Sequence, residues 1–369
     1  MIIYIDKSIA EHGKHAELTI EEETMFTELA CAHRRGYCYL CGDVDSIDWL
    51  KQCLDIYRKG IYRKHAEMGT LLNAVQTLIV ISYDEHPTLP TIIKDKARVI
   101  SIEQAINFRL NEQCVLLGEF LYDCDFYKLV AARYMHAKRD TMKGISLSLR
   151  DVSGGGVTSN KVLEKSVSEE YHLTLCLADS DTKHGVTERY PNDPAKGDTA
   201  NNLLNSKDAL HAMGLGNLFE MYCLTVHEVE NLIPISVLDN IANKEVIEMR
   251  PGVAYLKKLQ EANQEEAILF YDFKNGNNIE SLRKASEKDS RKKPSKVYWE
   301  KIANQIGDES APCLNKYVLS RAIRYMSELE PSGQKKVVNI QVDTYLEPIW
   351  EAIGLKMFSW GCAQRPSPA

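Results

Sequence analysis

The segment YHLTLCLADSD, residues 171–181, decides the fold class of this chain. Residues 171–178 form a short, mainly apolar run of the length of one strand, which predicts a buried β-strand. Two acidic residues, Asp179 and Asp181, follow this run directly. Open parallel sheets bind their ligands outside the carboxyl ends of the strands, so acidic residues at this point are candidates for a functional site.

Two further runs lead to acidic residues in the same way. CVLLGEF, residues 114–120, is a strand candidate that leads to Glu119. FEMYCLTV, residues 219–226, is another, and it is expected to run directly into Glu228 and Glu230. If these strands belong to one sheet, all of these acidic groups meet at one edge of it.

The segments between these runs complete an alternation of strands and helices. Residues 121–135 and 158–170 are expected to form helices, residues 144–152 a strand, and the three glycines at 154–156 a turn. The polar residues 182–208, which include Pro and Gly, are expected to form a long loop. Strands that alternate with helices predict an α/β fold with a mostly parallel sheet.

Two regions flank this central part. Residues 1–109 alternate short β-branched or aromatic runs with amphipathic stretches, which indicates a first α/β unit. Residues 236–369 show helical patterns without convincing strands, and the tail AQRPSPA is expected to be disordered. We therefore predict an α/β protein of three parts, with boundaries at 1–109, 110–235 and 236–369.

Composition narrows the class of protein. The 369 residues are 44% hydrophobic and 26% charged, as in an ordinary globular protein, and we find no uninterrupted apolar stretch of about 18 residues that would cross a membrane. Ten scattered cysteines, several of them inside apolar runs, favour buried thiols in a reducing cytoplasm over a disulfide framework. The net charge of −7 argues mildly against a nucleic-acid binder, although carboxylates that hold a metal lower it locally.

The spacing of the acidic residues suits a divalent cation. Residues i and i+2 of an extended segment point to the same side, so Asp179 can lie beside Asp181, and Glu228 beside Glu230. Mg²⁺ prefers oxygen ligands, usually one or two carboxylates with waters and substrate phosphate. Each feature alone has a structural explanation, such as an acid at a helix N-terminus. Their combination in one α/β unit favours a metal site.

Another acidic group follows a strand in the first unit. CGDVDSIDWL, residues 41–50, contains Asp43, Asp45 and Asp48. These residues are a second metal site, a decayed copy of the first, or acids that cap the following helix. We favour helix capping, because acidic side chains commonly accept hydrogen bonds from the first turn of a helix.

The order of these motifs resembles that of the Toprim domain of topoisomerases, primases and OLD-like nucleases. The resemblance covers about residues 112–235. VLLGEFLYDCDFYKLV resembles the first motif of the family, at Glu119 and Asp123, and LCLADSDTKHG resembles its DxD motif. HEVENLIP resembles the ENxL box of the defence-associated DUF4435 family and points to Glu230. The chain departs from the family at Phe120, where a glycine often stands.

This resemblance implies a Toprim-like Rossmannoid sheet and a set of site residues. The catalytic residues would be Glu119, Asp179 and Asp181. The ligands of Mg²⁺, or of Mn²⁺ in its place, would be Glu119, Asp123, Asp179, Asp181, Glu228 and Glu230.

The resemblance also implies an activity. It would be a Mg²⁺-dependent endonuclease that cuts DNA or RNA, tRNA included, as the toxic effector of an anti-phage defence system in the cytoplasm. Because the chain lacks the P-loop signature, an ATPase would be a separate partner; a homo-oligomer is a further expectation. Two alternatives stay open: a catalytically inactive Toprim-fold sensor or scaffold, and a Mg²⁺-dependent phosphotransfer enzyme that acts on nucleotides.

A basic stretch supplies candidate nucleic-acid contacts. Residues 283–296 carry seven Lys or Arg against two acids. Such a run can neutralise backbone phosphates, or it can be a solvated loop. The candidate contact residues are Lys288, Arg291, Lys292, Lys293 and Lys296.

Overall fold

Two four-stranded parallel sheets organise the protein in the computed structural model, which describes residues 1–60, 65–184, 198–288 and 293–366. The first sheet contains β1 (Ile2–Ile5), β2 (Tyr39–Gly42), β3 (Leu78–Ser82) and β4 (Ala97–Ser101). The second contains β5 (Cys114–Gly118), β7 (Leu149–Ser153), β8 (Thr174–Ala178) and β9 (Phe219–Cys223). A small antiparallel pair consists of β6 (Ile145–Leu147) and β10 (Cys362–Gln364).

Helices connect and cover the strands. The first part has α1 (Ser8–Gly13), α2 (Ile20–Arg35), α3 (Val44–Cys53), α4 (Asp55–Gly60), α5 (His65–Ala74), α6 (Thr91–Lys94) and α7 (Ile102–Asn107). The second has α8 (Leu121–Ala137), α9 (Ser159–Glu164) and α10 (Asp198–Ala212). After it come α11 (Ile235–Lys244), α12 (Arg250–Glu261), α13 (Glu265–Ile268), α14 (Ile279–Lys288), α15 (Lys293–Ile306), α16 (Val318–Ser327) and α17 (Glu347–Gly361).

The two sheets share one winding order. The strand order is β2-β1-β3-β4 in the first sheet and β7-β5-β8-β9 in the second, and every pairing within them is parallel. In each sheet the second strand in chain order therefore lies at the edge beside the first. The predicted α/β fold with a helical C-terminal region is confirmed. The predicted boundaries near residues 109 and 235 stay predictions.

Buried apolar strands explain why these segments form the sheets. All residues of β5 and β8 are buried, as expected for parallel strands covered by helices on both faces. Leu117 lies opposite Cys176, and Ala178 lies opposite Cys223. This register brings the carboxyl ends of the three strands to nearly the same level, so the residues that follow them share one edge.

Several local expectations are corrected by the structure. The predicted strand 144–152 divides at Ser148, whose backbone N–H donates to the carbonyl of Gly361, so that its two halves pair with different partners. The C-terminal region contains a strand after all, because Cys362–Gln364 pairs with β6. The first residues of the predicted disordered tail, Ala363 and Gln364, belong to it.

Two loop expectations also change. The polar segment 182–208 is not one loop, because α10 begins at Asp198. The predicted strand 219–226 is shorter than expected and ends at Cys223. The N–H of Leu224 still donates to the carbonyl of Ala178, after which the chain turns away from the sheet. Among the described helices, none has the length and apolar character needed to span a bilayer.

Arg98 joins the edge strands of the two sheets. From β4 it donates to the Thr77 hydroxyl at 2.8 Å and to the carbonyls of Gly216 and Phe219 at 2.8 and 2.7 Å. Its guanidinium lies 5.0 Å from the centre of the Trp360 ring. One half-buried side chain thus binds the first sheet, the second sheet and the C-terminal helix.

Replacement of Arg98 tests this junction. Arg98→Ala removes three hydrogen bonds and leaves buried acceptors unpaired, so we expect the free energy of unfolding to fall by roughly 2–3 kcal/mol. Urea denaturation followed by circular dichroism measures the change. Arg109→Ala is the matched control, because Arg109 is half-exposed and its side chain forms an ion pair with nearby Glu112, and it should change stability by less than about 0.5 kcal/mol. Equal effects of the two substitutions would contradict the assignment.

Candidate metal centre

Glu119 and Asp179 meet at the carboxyl ends of β5 and β8. Glu119 follows β5 directly, and β5 pairs in parallel with β8, the strand that leads to Asp179. The Asp179 Oδ1 atom accepts a hydrogen bond from the N–H of Val229 at 3.0 Å. Strand pairing and this hydrogen bond therefore bring together three acidic segments that are widely separated in sequence.

Asp181 lies near this pair, but not through the extended spacing expected from sequence. Its φ is +53°, in the left-handed region, so the backbone turns after Asp179. The N–H of Asp181 donates to the carbonyl of His227 at 2.9 Å. The hydroxyl of Ser180 points away and donates to the carbonyl of Val226. The DSD loop is thus hydrogen-bonded to the segment that carries the glutamates.

Glu228 and Glu230 do not continue a strand. β9 ends five residues before Glu228, and Glu230 lies on a 3₁₀ turn, Val229–Leu232. Both side chains nevertheless face the same centre, because their carboxylates lie 3.2 and 3.5 Å from the Lys274 ammonium. The predicted convergence of these two residues with the DSD loop is reached through a turn.

Asp123 caps the helix beside the site. Its Oδ2 atom accepts from the N–H of Phe120 at 2.8 Å, in the first turn of α8. Burial, together with the charge of Glu230, raises the pKa of Asp123 to about 6, although the hydrogen bond from Phe120 acts to lower it. One oxygen of Asp123, a predicted metal ligand, therefore has a structural role. The carboxylate of Asp123 is still close enough to Glu230 for the two charges to repel each other.

The buried carboxylates raise one another's pKa values. Burial, followed by Asp181 and Asp123, raises the pKa of Glu119 to about 7. Burial and Glu119 raise the pKa of Asp179 well above its usual range. The pKa of Glu228 is raised to about 7 by burial and by Glu230. Like charges gathered in this way favour a bound cation or protons.

Lys274 is the main described cation at the centre, and sequence reasoning missed it. Burial acts against its charged form, but Glu230 and Glu228 raise its pKa above the usual range. The turn that holds it is fixed by Asp272, whose Oδ1 accepts from the N–H groups of Lys274 and Asn275. The turn-forming sequence KNGN marks a loop, but nothing in it indicates that the loop lies against residues 228–230.

A second cation and a buried histidine border the centre. Lys183 donates to buried Asp272 at 2.7 Å. Burial opposes ionisation of Asp272, but Lys183 and its hydrogen bonds hold the pKa below the usual value. Neither ring nitrogen of the buried His227 has a hydrogen-bond partner among the residues that the structure describes, and burial, followed by Lys183, lowers its pKa to about 4. His227 is therefore neutral at physiological pH.

The donor set suits Mg²⁺ or Mn²⁺. All candidate ligands are carboxylates, and within the described part of the chain the buried atoms Glu119 Oε1 and Glu230 Oε2 have no hydrogen-bond partner. Unpaired buried acceptors of this kind are the atoms that a hard divalent ion would use. In the described ranges, no group of three His, Cys, Asp or Glu side chains lies close enough together to hold a metal ion as it stands. The arrangement is an acidic cluster with a lysine counter-charge, and its carboxylate donors are of the type that a hard divalent ion prefers.

The last residues of the basic stretch, 293–296, lie beside the segment that follows the DSD loop. The Ser295 hydroxyl lies 2.9 Å from His184 Nδ1, and the Trp299 indole donates to the carbonyl of Lys183 at 2.8 Å. Helix α15 thus lies directly against the segment that follows Asp181. Of the predicted contact residues, Lys288 and Lys293 are exposed, Lys296 is half-buried within 4.0 Å of Glu300, and Arg291 and Lys292 lie outside the described residues.

The acidic group of the first sheet is structural. Asp43 is the N-cap of α3 and accepts from the N–H groups of Asp45 and Ser46, which confirms its predicted capping role. Asp6, which follows β1, accepts from the Ser8 N–H and the Ser82 hydroxyl. Hydroxyl and amide donors, instead of further carboxylates, surround this acid.

Fold and site together define an α/β protein with an acidic cluster at the carboxyl ends of a parallel sheet. Comparison of the chain with family models, curated proteins and solved structures finds no match. The residues of the cluster are therefore the basis for any functional assignment.

The raised pKa values predict an unusual dependence of stability on pH in EDTA. The folded pKa of Glu119, about 7, exceeds its unfolded value, about 4.3, so the folded state binds more protons between these values. This contribution is present below about pH 4 and is lost as pH rises through 7. Glu119→Gln should therefore gain stability relative to wild type as pH rises from about 5 to about 8.

Urea denaturation at a series of pH values measures this difference. Glu103→Gln, on an exposed first turn away from the cluster, is the matched control and should follow wild type at each pH. A constant difference between Glu119→Gln and wild type would show that the Glu119 pKa is not raised.

Proposed function

We propose that this chain is a Mg²⁺-dependent endonuclease of the Toprim type. The observation that carries the proposal is the convergence of Glu119, the Asp179–Asp181 loop and the Glu228–Glu230 turn at one end of a parallel sheet. These positions match the motifs through which the sequence resembles the Toprim domain. The mutual elevation of their pKa values supports a site that gains from a divalent cation.

The residues divide into two roles. Asp179, Asp181 and Glu230 would hold one or two Mg²⁺ ions, with Glu228 and Asp123 beside them. When bound, the metal supplies Lewis-acid stabilisation of the phosphodiester under attack. Glu119 is either a further ligand or the general base.

As a base, Glu119 would accept the proton of the attacking water. The water oxygen forms a bond to phosphorus, and the bond from phosphorus to the departing strand's oxygen breaks. Burial, the main cause of the raised pKa of Glu119 in the metal-free site, favours uptake of a proton by this carboxylate. Lys274, placed between Glu228 and Glu230, can stabilise negative charge on the phosphate.

The position of helix α15 supports a polymeric substrate. Its contacts at Ser295 and Trp299 place the start of a basic helix next to the loop that carries Asp181. Lys293, at the start of that helix, is exposed and can contact backbone phosphates on either side of the scissile bond. The role as a toxic anti-phage effector in the cytoplasm, with a separate ATPase partner, rests on the family resemblance.

Cleavage assays with an Asp181→Asn variant test the proposal. Plasmid, linear DNA and total tRNA are incubated with Mg²⁺ or with EDTA, and products are resolved by electrophoresis. Asn keeps the left-handed backbone of Asp181 accessible and removes only the charge, so we expect a loss on the order of 100-fold or more. Asp84→Asn, which follows the corresponding strand β3 of the first sheet and is exposed, should retain wild-type cleavage.

The outcomes separate the alternatives. Turnover of mononucleotides without cleavage of any polynucleotide would replace the endonuclease by the phosphotransfer enzyme. Absence of turnover together with no Mg²⁺- or Mn²⁺-induced rise in melting temperature would favour the inactive sensor or scaffold. Cleavage in EDTA that persists in Asp181→Asn would contradict a metal site at this cluster.

A further inference from the structure

Phe120, Leu121 and Tyr122 form an exposed apolar run at the rim of the acidic centre, which we call the rim patch. Their exposed fractions are 57%, 54% and 58%. No other three consecutive large apolar residues in the described ranges are all exposed. The patch starts immediately after Glu119.

The fold itself does not use the rim patch. The next apolar residues of α8, Phe126, Leu129 and Val130, are fully buried and supply its contacts with the core. Phe120 occupies the N-cap of this helix through its backbone, and its ring contributes no cap. Three consecutive large apolar side chains that are all exposed beside a candidate site indicate a binding surface.

Another exposed apolar residue, Val157, lies near the loop that contacts the Glu119 backbone. The N–H of Gly155 and the hydroxyl of Ser153 both donate to the Glu119 carbonyl, at 2.9 and 3.1 Å. Val157, two residues further, is 66% exposed. Both chain segments around Glu119 therefore present apolar groups to solvent.

We propose that the rim patch stacks unpaired bases, so that the substrate is single-stranded nucleic acid or a single-stranded segment of a longer one. This inference rests on the proposed function and names its substrate class. Aromatic rings bind every base through its face, and each such stack contributes about 1–3 kcal/mol. In a duplex those faces are already stacked on neighbouring bases and are not accessible.

The size and surroundings of the patch favour bases over a partner protein. A stable protein interface buries about 800 Å² on each side and involves about 20–30 residues, far more than three side chains provide. A nucleotide can place its phosphate on the acidic centre with metal and its base on Phe120 or Tyr122.

Binding of fluorescein-labelled oligonucleotides tests this inference independently of cleavage. Fluorescence anisotropy is measured in Ca²⁺ and in EDTA, with single-stranded DNA, single-stranded RNA and the corresponding blunt duplexes. We expect wild type to bind a single strand more tightly than its duplex in Ca²⁺. The Phe120→Ala/Tyr122→Ala variant should bind single strands at least about tenfold more weakly, because two stacks are lost.

Two further variants make the result specific. Tyr317→Ala removes a tyrosine of similar exposure, 56%, in the C-terminal region, and should bind as wild type does. Phe120→Leu/Tyr122→Leu keeps the patch apolar without aromatic rings, and should lose binding as the alanine variant does. The three substituted side chains, Phe120, Tyr122 and Tyr317, are all exposed, so we expect unchanged melting temperatures, which confirm that folding is intact.

Several results would overturn the inference. These are wild-type affinity in the alanine variant, full affinity in the leucine variant, or a change in oligomeric state of the alanine variant in light scattering, which would assign the patch to a protein interface. A different result would contradict the endonuclease proposal alone. In that case single-strand binding would depend on Phe120 and Tyr122, but Mg²⁺ would produce no cleavage. If the Phe120→Ala/Tyr122→Ala variant cleaved single strands as wild type does, this inference alone would be contradicted.

Discussion

The main physical constraint on this structure is the crowding of carboxylates in a half-buried space at the ends of β5 and β8. Charges of one sign in such a place destabilise the folded state unless protons or cations compensate them. Lys274 supplies part of the compensation through Glu228 and Glu230. Glu119 and Asp179 are left with strongly raised pKa values. A protein keeps such an unfavourable arrangement where function requires it, which is the physical reason to look for chemistry here.

The two sheets show how the same winding can have different outcomes. Both follow the order second–first–third–fourth strand, and both place an acid after their first strand, Asp6 in one and Glu119 in the other. Asp6 accepts from Ser8 and Ser82, so amide and hydroxyl donors compensate its charge. Glu119 faces further acids instead. The two sheets have the same strand order, so the difference between them lies in the residues that surround the acid. These residues make the edge at Asp6 structural and the edge at Glu119 a candidate functional site.

Apolar runs allowed the strands of both sheets to be predicted, since a buried parallel strand has a simple sequence pattern. The convergence of Glu119 with the DSD loop followed from the rule that ligands bind at the carboxyl ends of such strands. The left-handed backbone of Asp181 was not predictable, because it depends on a hydrogen bond to His227.

The features that the sequence did not predict depend on contacts between residues far apart in the chain. Lys274 reaches the glutamates from a turn more than 40 residues downstream, and β10 pairs with a strand near residue 146. Neither partner leaves a periodic signal in its own segment. The contact of Ser295 with His184, across 111 residues, is of the same kind.

Helix α15 of the C-terminal region packs against the segment that follows the DSD loop. Trp299 is fully buried, and its indole holds the carbonyl of Lys183, two residues beyond Asp181. The geometry of the acidic loop is therefore set partly by the C-terminal region. Removal of that region would leave the Lys183 carbonyl without its donor and the segment after Asp181 without the helix that packs against it.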